Sequence, residues 1–213
     1  MPHDQNQIIE ANRSQEVSES DSFTADRYRQ FYSHFPVHAK TVLDVGCNTG
    51  RGGAVLKICN PGIELTGMDC VPERIAALDK KIYDRSLCGF STQISAPDGS
   101  FDAVVAGEFI EHLPPNQVGA TLAEFFRVLR LKGRLLMTTP NPGYLKNWFN
   151  HLSVLQEGSH LSQHHPNSLA ARLRMTGFSK VKIFGSGRVS RLIGQRFPFL
   201  PCYGSYLIRG NKW

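Results

Sequence analysis

The chain has 213 residues, of which 41% are hydrophobic and 20% charged, and its formal net charge is +6. This length and composition are typical of one globular domain with a sizeable core. No apolar run has the length of a membrane span, and residues 1–22 lack the basic-then-apolar order of a secretion signal, so we expect a cytoplasmic protein. The basic residues are dispersed, which favours a solvated surface over a patch for an anionic partner.

The cysteines indicate neither a disulfide framework nor a zinc site. They are five in number, and no two of them have the C-x-x-C spacing. We therefore expect reduced thiols at Cys47, Cys59, Cys70, Cys88 and Cys202.

The N-terminal part of the chain divides near Ser22. Residues 1–22 are polar and mix both charges without a clear period, which predicts a mobile arm with at most one helical turn around Ile8. After that point, aromatic residues recur at helical spacing and predict a helix that covers the approach to the first strand. These residues are Phe23, Tyr28, Phe31, Tyr32 and Phe35.

The rest of the chain is organised around the stretch TVLDVGCNTGRGG, residues 41–53. It predicts a buried strand interrupted by Asp44, then a glycine turn and a helix from Gly52 to Cys59. Glycines let the main chain approach a ligand closely, and the helix offers unpaired N–H groups at its start, so a nucleotide-like ligand is expected here. From Gly46 the spacing does not match the dinucleotide fingerprint G-x-G-x-x-G.

A second carboxylate follows the next predicted strand. Residues 63–68 form that strand, and Asp69 stands at its end. In a doubly wound sheet an acid at this position accepts hydrogen bonds from ribose hydroxyls, although a helix cap before Pro72 is an alternative role. We predict a helix from Pro72 to about Tyr83 and a weaker third strand over residues 87–94.

The second half of the chain continues the alternation of strands and helices. A fourth buried strand is predicted over residues 101–107 and is followed by the string EFIEHL. A helix over residues 116–131 and a fifth strand over residues 134–139 come next, and then the run TTPNPGYL. The last predicted elements are a helix over residues 168–175 and strands over residues 178–184 and 206–209.

Residues 141–166 form a weakly patterned insertion, and segments of this length are usually lids or binding segments. The insertion contains four histidines, for which a metal site, a catalytic base and an ordinary surface position compete. Because the sequence places only Glu157 nearby as a further ligand, we expect no metal site. The histidines are His151, His160, His164 and His165.

These motifs together resemble the class I S-adenosylmethionine-dependent methyltransferases. Asp44, Gly46 and Gly50 match the first motif of that family, with Asn48 where a glycine is common. EFIEHL resembles its fourth motif, and TTPNPGYL resembles a TTPNP-x-YL run in one branch. The resemblance implies an α/β, Rossmann-like, doubly wound, seven-stranded and mostly parallel sheet with helices on both faces. It also implies a single methyltransferase domain over residues 23–213, preceded by the arm.

The resemblance also implies site residues. Many family members place an acid after the third strand for the adenine, whereas this chain has Ser91 near that position. His112 belongs to the fourth motif, and His160 lies eighteen residues before Phe178, where the branch has a histidine. We therefore predict His112 and His160 as catalytic residues. The predicted binding residues for S-adenosyl-L-methionine are Tyr28, Asp44, Gly46, Cys47, Asn48, Gly50, Asp69, Cys70, Ser91 and Glu108.

The implied activity is methyl transfer, and we expect O-methylation of a small-molecule, glycan or lipid-linked acceptor. Nucleic acid is disfavoured as the acceptor, because amino-adenine methyltransferases carry an Asn/Asp-Pro-Pro-aromatic string after the fourth strand, where this chain reads GEF. Two other hypotheses stay open: a non-catalytic module that binds S-adenosylmethionine, and an NAD-dependent oxidoreductase, which the glycine spacing disfavours.

Overall fold

The computed structural model of the chain describes residues 5–13 and 22–213. The strands are β1 (Thr41–Val45), β2 (Glu64–Asp69), β3 (Arg85–Cys88), β4 (Phe101–Gly107), β5 (Leu129–Pro140), β6 (Ser179–Ser186) and β7 (Ser205–Asn211). They form one sheet in the order β3-β2-β1-β4-β5-β7-β6. Strand β7 is antiparallel to β5 and β6, and the other pairs are parallel. The predicted fold class is therefore confirmed.

Helices cover both faces of the sheet. They are α1 (Gln5–Arg13), α2 (Ser22–Ser33), α3 (Arg51–Cys59), α4 (Pro72–Ala77), α5 (Val118–Val128), α6 (Leu145–Phe149), α7 (Pro166–Thr176) and α8 (Arg188–Ile193). Neighbouring strand residues such as Val104 and Val105 belong to two different hydrophobic clusters, because successive side chains point to opposite faces. Among the described helices, none has the length and hydrophobicity needed to cross a membrane.

The order of the strands positions the site. Strand β1 lies between β2 and β4, so the connections leave it towards opposite sides of the sheet. In a doubly wound sheet this reversal opens a crevice at the carboxyl ends of the strands. The segments that follow Val45, Asp69 and Gly107 therefore meet at one edge.

Two predicted elements differ from the structure in the segment between β2 and β4. Helix α4 ends at Ala77 instead of continuing to Tyr83, because Leu78 has an extended backbone with ψ 133°. The chain then turns Tyr83 inward, where its ring lies against Gly53 and Gly67. The third strand covers residues 85–88 rather than 87–94, because Arg85–Cys88 pairs with the end of β2.

The boundary between α5 and β5 also differs from the prediction. Helix α5 ends at Val128, and β5 begins at once with Leu129, which pairs with Phe101 before a register shift. The predicted helix end at Leu131 therefore lies within the strand, and the next residue, Lys132, has a positive φ of 67°. Tertiary pairing with β4 extends this strand beyond the run that the sequence pattern indicates.

The two weakly patterned segments both contain local structure. Residues 1–4 and 14–21 of the predicted arm lie outside the described residues, whereas residues 5–13 form α1. Ile8 of α1 is buried, and the guanidinium of Arg74 donates to the carbonyl oxygen of Asn12. The insertion contains α6 and a 3₁₀ turn over Val154–Gln156, which Ser153 caps.

Candidate functional site

A cavity opens at the carboxyl ends of β1, β2 and β4, where the strand order reverses. Nine of the predicted site residues line it: Tyr28, Gly46, Cys47, Asn48, Asp69, Cys70, Ser91, Glu108 and His112. Three further predicted residues, all in the described part of the chain, lie outside its lining: Asp44, Gly50 and His160. The structure thus brings most of the predicted site together and separates out a supporting group.

The turn after β1 has left-handed backbone at several positions. Gly46 has φ 68°, and a Cβ there would lie 2.6 Å from Cδ2 of Phe109, so only glycine fits. Asn48 also has a positive φ of 50°, and its buried Oδ1 has no hydrogen-bond partner within the described residues. Asparagine tolerates this conformation better than most residues. The turn thereby places Gly46, Cys47 and Asn48 in the cavity lining.

Asp69 at the end of β2 is held by the backbone around it. One carboxylate oxygen accepts from the N–H of Asn48 at 3.1 Å, and the other accepts from the N–H of Val71 at 3.0 Å. Nη1 of Arg74 lies 3.7 Å from Oδ2 of Asp69. A carboxylate oxygen accepts more than one hydrogen bond, so Asp69 can bind a ligand while it keeps these contacts. The helix-cap alternative is wrong, because the N-cap of α4 is Val71 and no described side chain caps it, whereas Asp69 accepts its hydrogen bonds from backbone that precedes the helix.

Asp44 lies beneath the floor of the cavity. It is fully buried, and its two carboxylate oxygens accept hydrogen bonds from the hydroxyls of Tyr28 at 2.6 Å and Tyr83 at 2.7 Å. Burial raises the pKa of Asp44 to about 6, against the opposing effect of the two tyrosine hydroxyls. Tyr28 itself lines the cavity, so Asp44 holds a cavity residue in place.

Gly50 has a comparable supporting position. It has φ 85° immediately before α3, and a Cβ there would lie 3.0 Å from the ring of Tyr83. The left-handed backbone and the nearby ring both favour glycine. Gly50 therefore shapes the turn from behind.

The segment after β4 brings two acids near the cavity: Glu108, whose side chain is 22% exposed, and the buried Glu111. Glu108 lines the cavity and has a positive φ of 49°. Its Oε1 lies 3.7 Å from Nη2 of Arg27. Glu111 is fully buried, and one of its carboxylate oxygens accepts from the hydroxyl of Thr139 at 2.9 Å. Burial raises the pKa of Glu111 well above its ordinary value, and the charge of Glu108 adds to this effect.

Two imidazoles lie beside these acids. The rings of His112 and His160 have centroids 5.0 Å apart. Nδ1 of His112 is 3.0 Å from the carbonyl oxygen of Ser159, and Nδ1 of His160 is 2.7 Å from that of Val154. Burial lowers the pKa of His112, and His160 lowers it further, so His112 is neutral near pH 7. The insertion thus supplies one imidazole and anchors the other.

The remaining predicted residues, Ser91, Cys47 and Cys70, also line the cavity. Ser91 is buried, and its hydroxyl lies 2.9 Å from the hydroxyl of Thr121. Burial raises the pKa of Cys47 far above its ordinary value and that of Cys70 to about 11. Both cysteines are therefore neutral thiols near pH 7, which disfavours a nucleophilic role.

Several cavity residues were not predicted from the sequence. Helix α1 supplies Ile8 and Asn12, α2 supplies Arg27, and Phe109 comes from the loop after β4. The isolated apolar pair Ile8-Ile9 in the polar arm is a signal that could have indicated a docked helix. Arg27 directly precedes Tyr28 in α2, but the sequence does not predict how this helix is oriented. No sequence feature therefore indicates that Arg27 lines the cavity.

Comparison with known proteins agrees with this geometry. A family model described as "Methyltransferase domain" matches residues 19–183. A solved S-adenosylmethionine-dependent methyltransferase from Archaeoglobus fulgidus superposes with a TM-score of 0.68 at 25% identity and covers 88% of this chain and 92% of that one. The sheet and cavity therefore define the class of S-adenosylmethionine-dependent methyltransferases.

Two curated relatives are similar over part of their length. The malonyl-[acyl-carrier protein] O-methyltransferase of Laribacter hongkongensis is 31% identical over 134 residues, which are 57% of this chain and 44% of that protein. The demethylmenaquinone methyltransferase of Deinococcus radiodurans is 30% identical over 165 residues, or 65% of this chain and 68% of that protein. This chain belongs to the methyltransferase domain family, and its cofactor is S-adenosylmethionine.

Proposed function

We propose that this chain transfers a methyl group from S-adenosylmethionine to a hydroxyl oxygen of a small-molecule, glycan or lipid-linked acceptor by direct displacement. One observation carries this proposal: a single cavity at the strand-order reversal is bordered by Asp69 at one end and by His112 at the other. A carboxylate of this kind suits ribose hydroxyls, and a neutral imidazole suits a hydroxyl that must lose its proton.

The cavity residues fit an adenosyl ligand. We assign Asp69 to the ribose hydroxyls, and the turn over residues 46–48, with the amide oxygen of Asn48, to the polar end of the cofactor. Cys70 and Ser91 border the space for the adenine. Tyr28 and Glu108 line the region between these groups and His112. Asp44 and Gly50 support the site indirectly, because they hold Tyr28 and shape the turn.

S-adenosylmethionine supplies a methyl group that is activated by a sulfonium. The contribution of this chain is to align the acceptor and to assist the loss of its proton. We assign the second task to His112, because it is the imidazole that lines the cavity. His160 acts as a positioning residue, since its ring lies against that of His112 outside the lining.

The described surface supports an acceptor with an apolar part. The insertion carries Trp148, Phe149 and Leu152, whose exposed fractions are 70%, 69% and 52%. A second groove, lined partly by Tyr144, shares Arg27 with the cofactor cavity. The rings of Trp148 and Phe149 have centroids 4.9 Å apart, and exposed apolar side chains that are grouped on a surface favour contact with an apolar ligand. The relative from Laribacter hongkongensis is described as a malonyl-[acyl-carrier protein] O-methyltransferase, so its acceptor is linked to a carrier.

We further propose that residues 23–213 act as one methyltransferase domain in which residues 141–166 cover the acceptor. We also propose that the chain belongs to the branch with EHL and TTPNP-x-YL, on the resemblance of these two motifs, which contact each other in the structure. The hydroxyl of Thr139 donates to Glu111, and the carbonyl oxygen of Thr138 accepts from the N–H of Glu108. The pairing couples the methyl-donor side of the cavity to the start of the insertion.

Calorimetric titration with S-adenosylmethionine, S-adenosylhomocysteine and NAD tests the cofactor assignment. We expect both adenosyl ligands to bind and Asp69→Asn to weaken them about ten- to a hundredfold, because each hydrogen bond to a charged group contributes about 1.5–3 kcal/mol. Asp98→Asn is the matched control, since the Asp98 side chain is 79% exposed and is not part of the cavity lining. Binding of NAD with no binding of the adenosyl ligands would overturn the proposal.

The alternative of a non-catalytic binding module is tested by turnover. We expect S-adenosylhomocysteine to form when the chain is incubated with S-adenosylmethionine and a panel of quinol, sugar and acyl-carrier hydroxyl acceptors. His112→Ala should reduce the rate while the affinity for S-adenosylhomocysteine stays unchanged. Tight cofactor binding with no product from any hydroxyl acceptor would favour the binding module.

A further inference from the structure

A group of three metal-ligating side chains borders the cofactor cavity. A carboxylate oxygen of Glu111 and one ring nitrogen each of His112 and His160 all lie within 4.8 Å of one another. Glu111 and His112 come from the turn after β4, whereas His160 comes from the insertion, 48 residues further along the chain. Only tertiary structure brings these groups together, and the distances suit ligands that share one ion.

The backbone determines which nitrogen of each imidazole carries a proton. Nδ1 of His112 and Nδ1 of His160 each face a main-chain carbonyl oxygen, at 3.0 Å and 2.7 Å. A carbonyl oxygen only accepts hydrogen bonds, so each Nδ1 must donate. In the neutral ring Nε2 then carries the lone pair. Histidines that bind metals are commonly oriented in this way, by donation from the other ring nitrogen to a carbonyl or carboxylate.

The two carboxylate oxygens of Glu111 also differ, because the described residues satisfy only one of them. One oxygen accepts from the hydroxyl of Thr139, whereas the other, Oε1, is buried and has no hydrogen-bond partner in the described part of the chain. A buried oxygen without a partner is costly unless a ligand satisfies it. Glu111 is fully buried, so solvent does not satisfy this oxygen.

We propose that Glu111, His112 and His160 bind one divalent transition-metal ion at the edge of the cofactor cavity. Two imidazoles and one carboxylate form a donor set that suits Mn²⁺, Fe²⁺, Co²⁺ or Zn²⁺ better than Mg²⁺, which prefers oxygen ligands. Three protein ligands leave at least one coordination position open. The exposed Glu157 lies 3.5 Å from Nε2 of His160 and is the competing partner of that nitrogen when the imidazole is protonated.

The ion deepens the proposed function and rests on it. His112 lines the cavity, so an ion bound to it is accessible to an acceptor hydroxyl. A divalent cation lowers the pKa of a hydroxyl that it binds. The hydroxyl proton leaves to solvent, the new carbon–oxygen bond forms, and the carbon–sulfur bond of S-adenosylmethionine breaks. His112 then assists the loss of the proton as a ligand rather than as a free base.

The test is titration of the full chain, first treated with EDTA, with Co²⁺, monitored by visible absorption. We expect about one Co²⁺ per chain, and Glu111→Gln and His160→Ala should each weaken it at least about tenfold. Glu111→Gln keeps an acceptor for Thr139, so it is the variant less prone to unfold. His165→Ala is the matched control, because His165 is exposed and precedes α7, outside the cluster. Circular dichroism checks that each variant is folded.

A parallel titration with S-adenosylhomocysteine separates this inference from the proposed function. Wild-type chain that binds S-adenosylhomocysteine but takes up no Co²⁺, or whose Co²⁺ affinity is unchanged by both cluster variants, would overturn the metal site alone. Folded wild-type chain that does not bind S-adenosylhomocysteine would overturn the proposed function, and the Co²⁺ titration would then decide the metal site by itself.

Discussion

Two buried carboxyl groups near the cavity, Asp44 behind Tyr28 and Glu111 beside His112, differ in how their oxygens are satisfied. Beneath the floor, both oxygens of Asp44 accept hydrogen bonds from tyrosine hydroxyls. At the other end, Glu111 has one oxygen bonded to Thr139 and one without a partner among the described residues. Both carboxyl groups are fully buried. A buried acid with all its partners stabilises the fold, whereas one with an unsatisfied oxygen is available to a ligand.

The difference also separates two kinds of sequence motif. Asp44 belongs to the glycine-turn motif, and the resemblance implied that it binds the cofactor. The structure places it behind Tyr28, a residue that lines the cavity. Glu111 and His112 belong to EFIEHL; His112 lines the cavity, whereas Glu111 lies outside its lining, within reach of the same proposed ion. We therefore expect substitutions of Asp44 and its tyrosine partners to change the free energy of unfolding. Substitutions of Glu111, His112 or His160 should instead change ligand binding.

The largest expected effect is that of Asp44→Ala on stability. The substitution leaves two buried tyrosine hydroxyls without their acceptor, and each orphaned group costs about 1–3 kcal/mol, so we expect a loss of about 3–4 kcal/mol in the free energy of unfolding. Urea unfolding followed by circular dichroism measures it. A loss below about 1 kcal/mol would contradict the supporting role of Asp44.

The pH dependence of stability should identify the same carboxyl group. The pKa of Asp44 in the folded chain is about 6, above its ordinary value of 3.8, so the folded state binds the proton more tightly. The stabilisation of the folded state by protonated Asp44 is complete below about pH 4 and is lost as the pH rises through about 6. The loss amounts to about 3 kcal/mol, at ~1.4 kcal/mol per pKa unit.

Comparison with Asp44→Asn isolates this contribution from other titrating groups. Asp84 and Asp102 have lowered pKa values, so their contributions are lost as the pH falls and oppose that of Asp44. The difference in unfolding free energy between wild type and Asp44→Asn should therefore change across this window. A difference that is constant from about pH 4 to about pH 7 would show that Asp44 has an ordinary pKa.

Tyr83→Phe should have an intermediate effect. It leaves one oxygen of Asp44 without a donor but keeps the ring that packs against Gly53 and Gly67, so we expect a loss of about 1–2 kcal/mol. The half-buried Tyr32→Phe is the control and should change stability by less than about 0.5 kcal/mol. If the two substitutions changed the free energy of unfolding equally, the hydroxyl of Tyr83 would not stabilise the buried Asp44.

Glu111→Gln should have the smallest effect on stability. The amide keeps an acceptor for Thr139 and removes a buried ionisable group, so the free energy of unfolding should stay within about 1 kcal/mol of wild type or rise. Unfolding in the presence of EDTA measures this without bound metal. A loss comparable to that of Asp44→Ala would mean that both acids stabilise the fold and would remove the contrast between the two regions.

Part of the site could be predicted from local sequence. The glycine turn after β1 and the acid at the end of β2 each depend on residues next to a buried strand, and parallel strands place their carboxyl ends at one edge. Asp69 was predicted in this way, and Gly46 and Glu108 from the family resemblance; all three line the cavity. Helix α4 and strand β3 were misplaced, because the inward turn of Tyr83 depends on Asp44, 39 residues away.

The sequence by itself determined the fold class, the order of the main elements and the edge of the sheet where the cavity opens, because these follow from periodicity and from residues close together in the chain. Only the tertiary structure decided that Asp44 lies beneath the floor, that α1 borders the cavity and that His160 meets Glu111 and His112. Contacts between residues distant in the chain depend on how loops pack, and no local pattern encodes them.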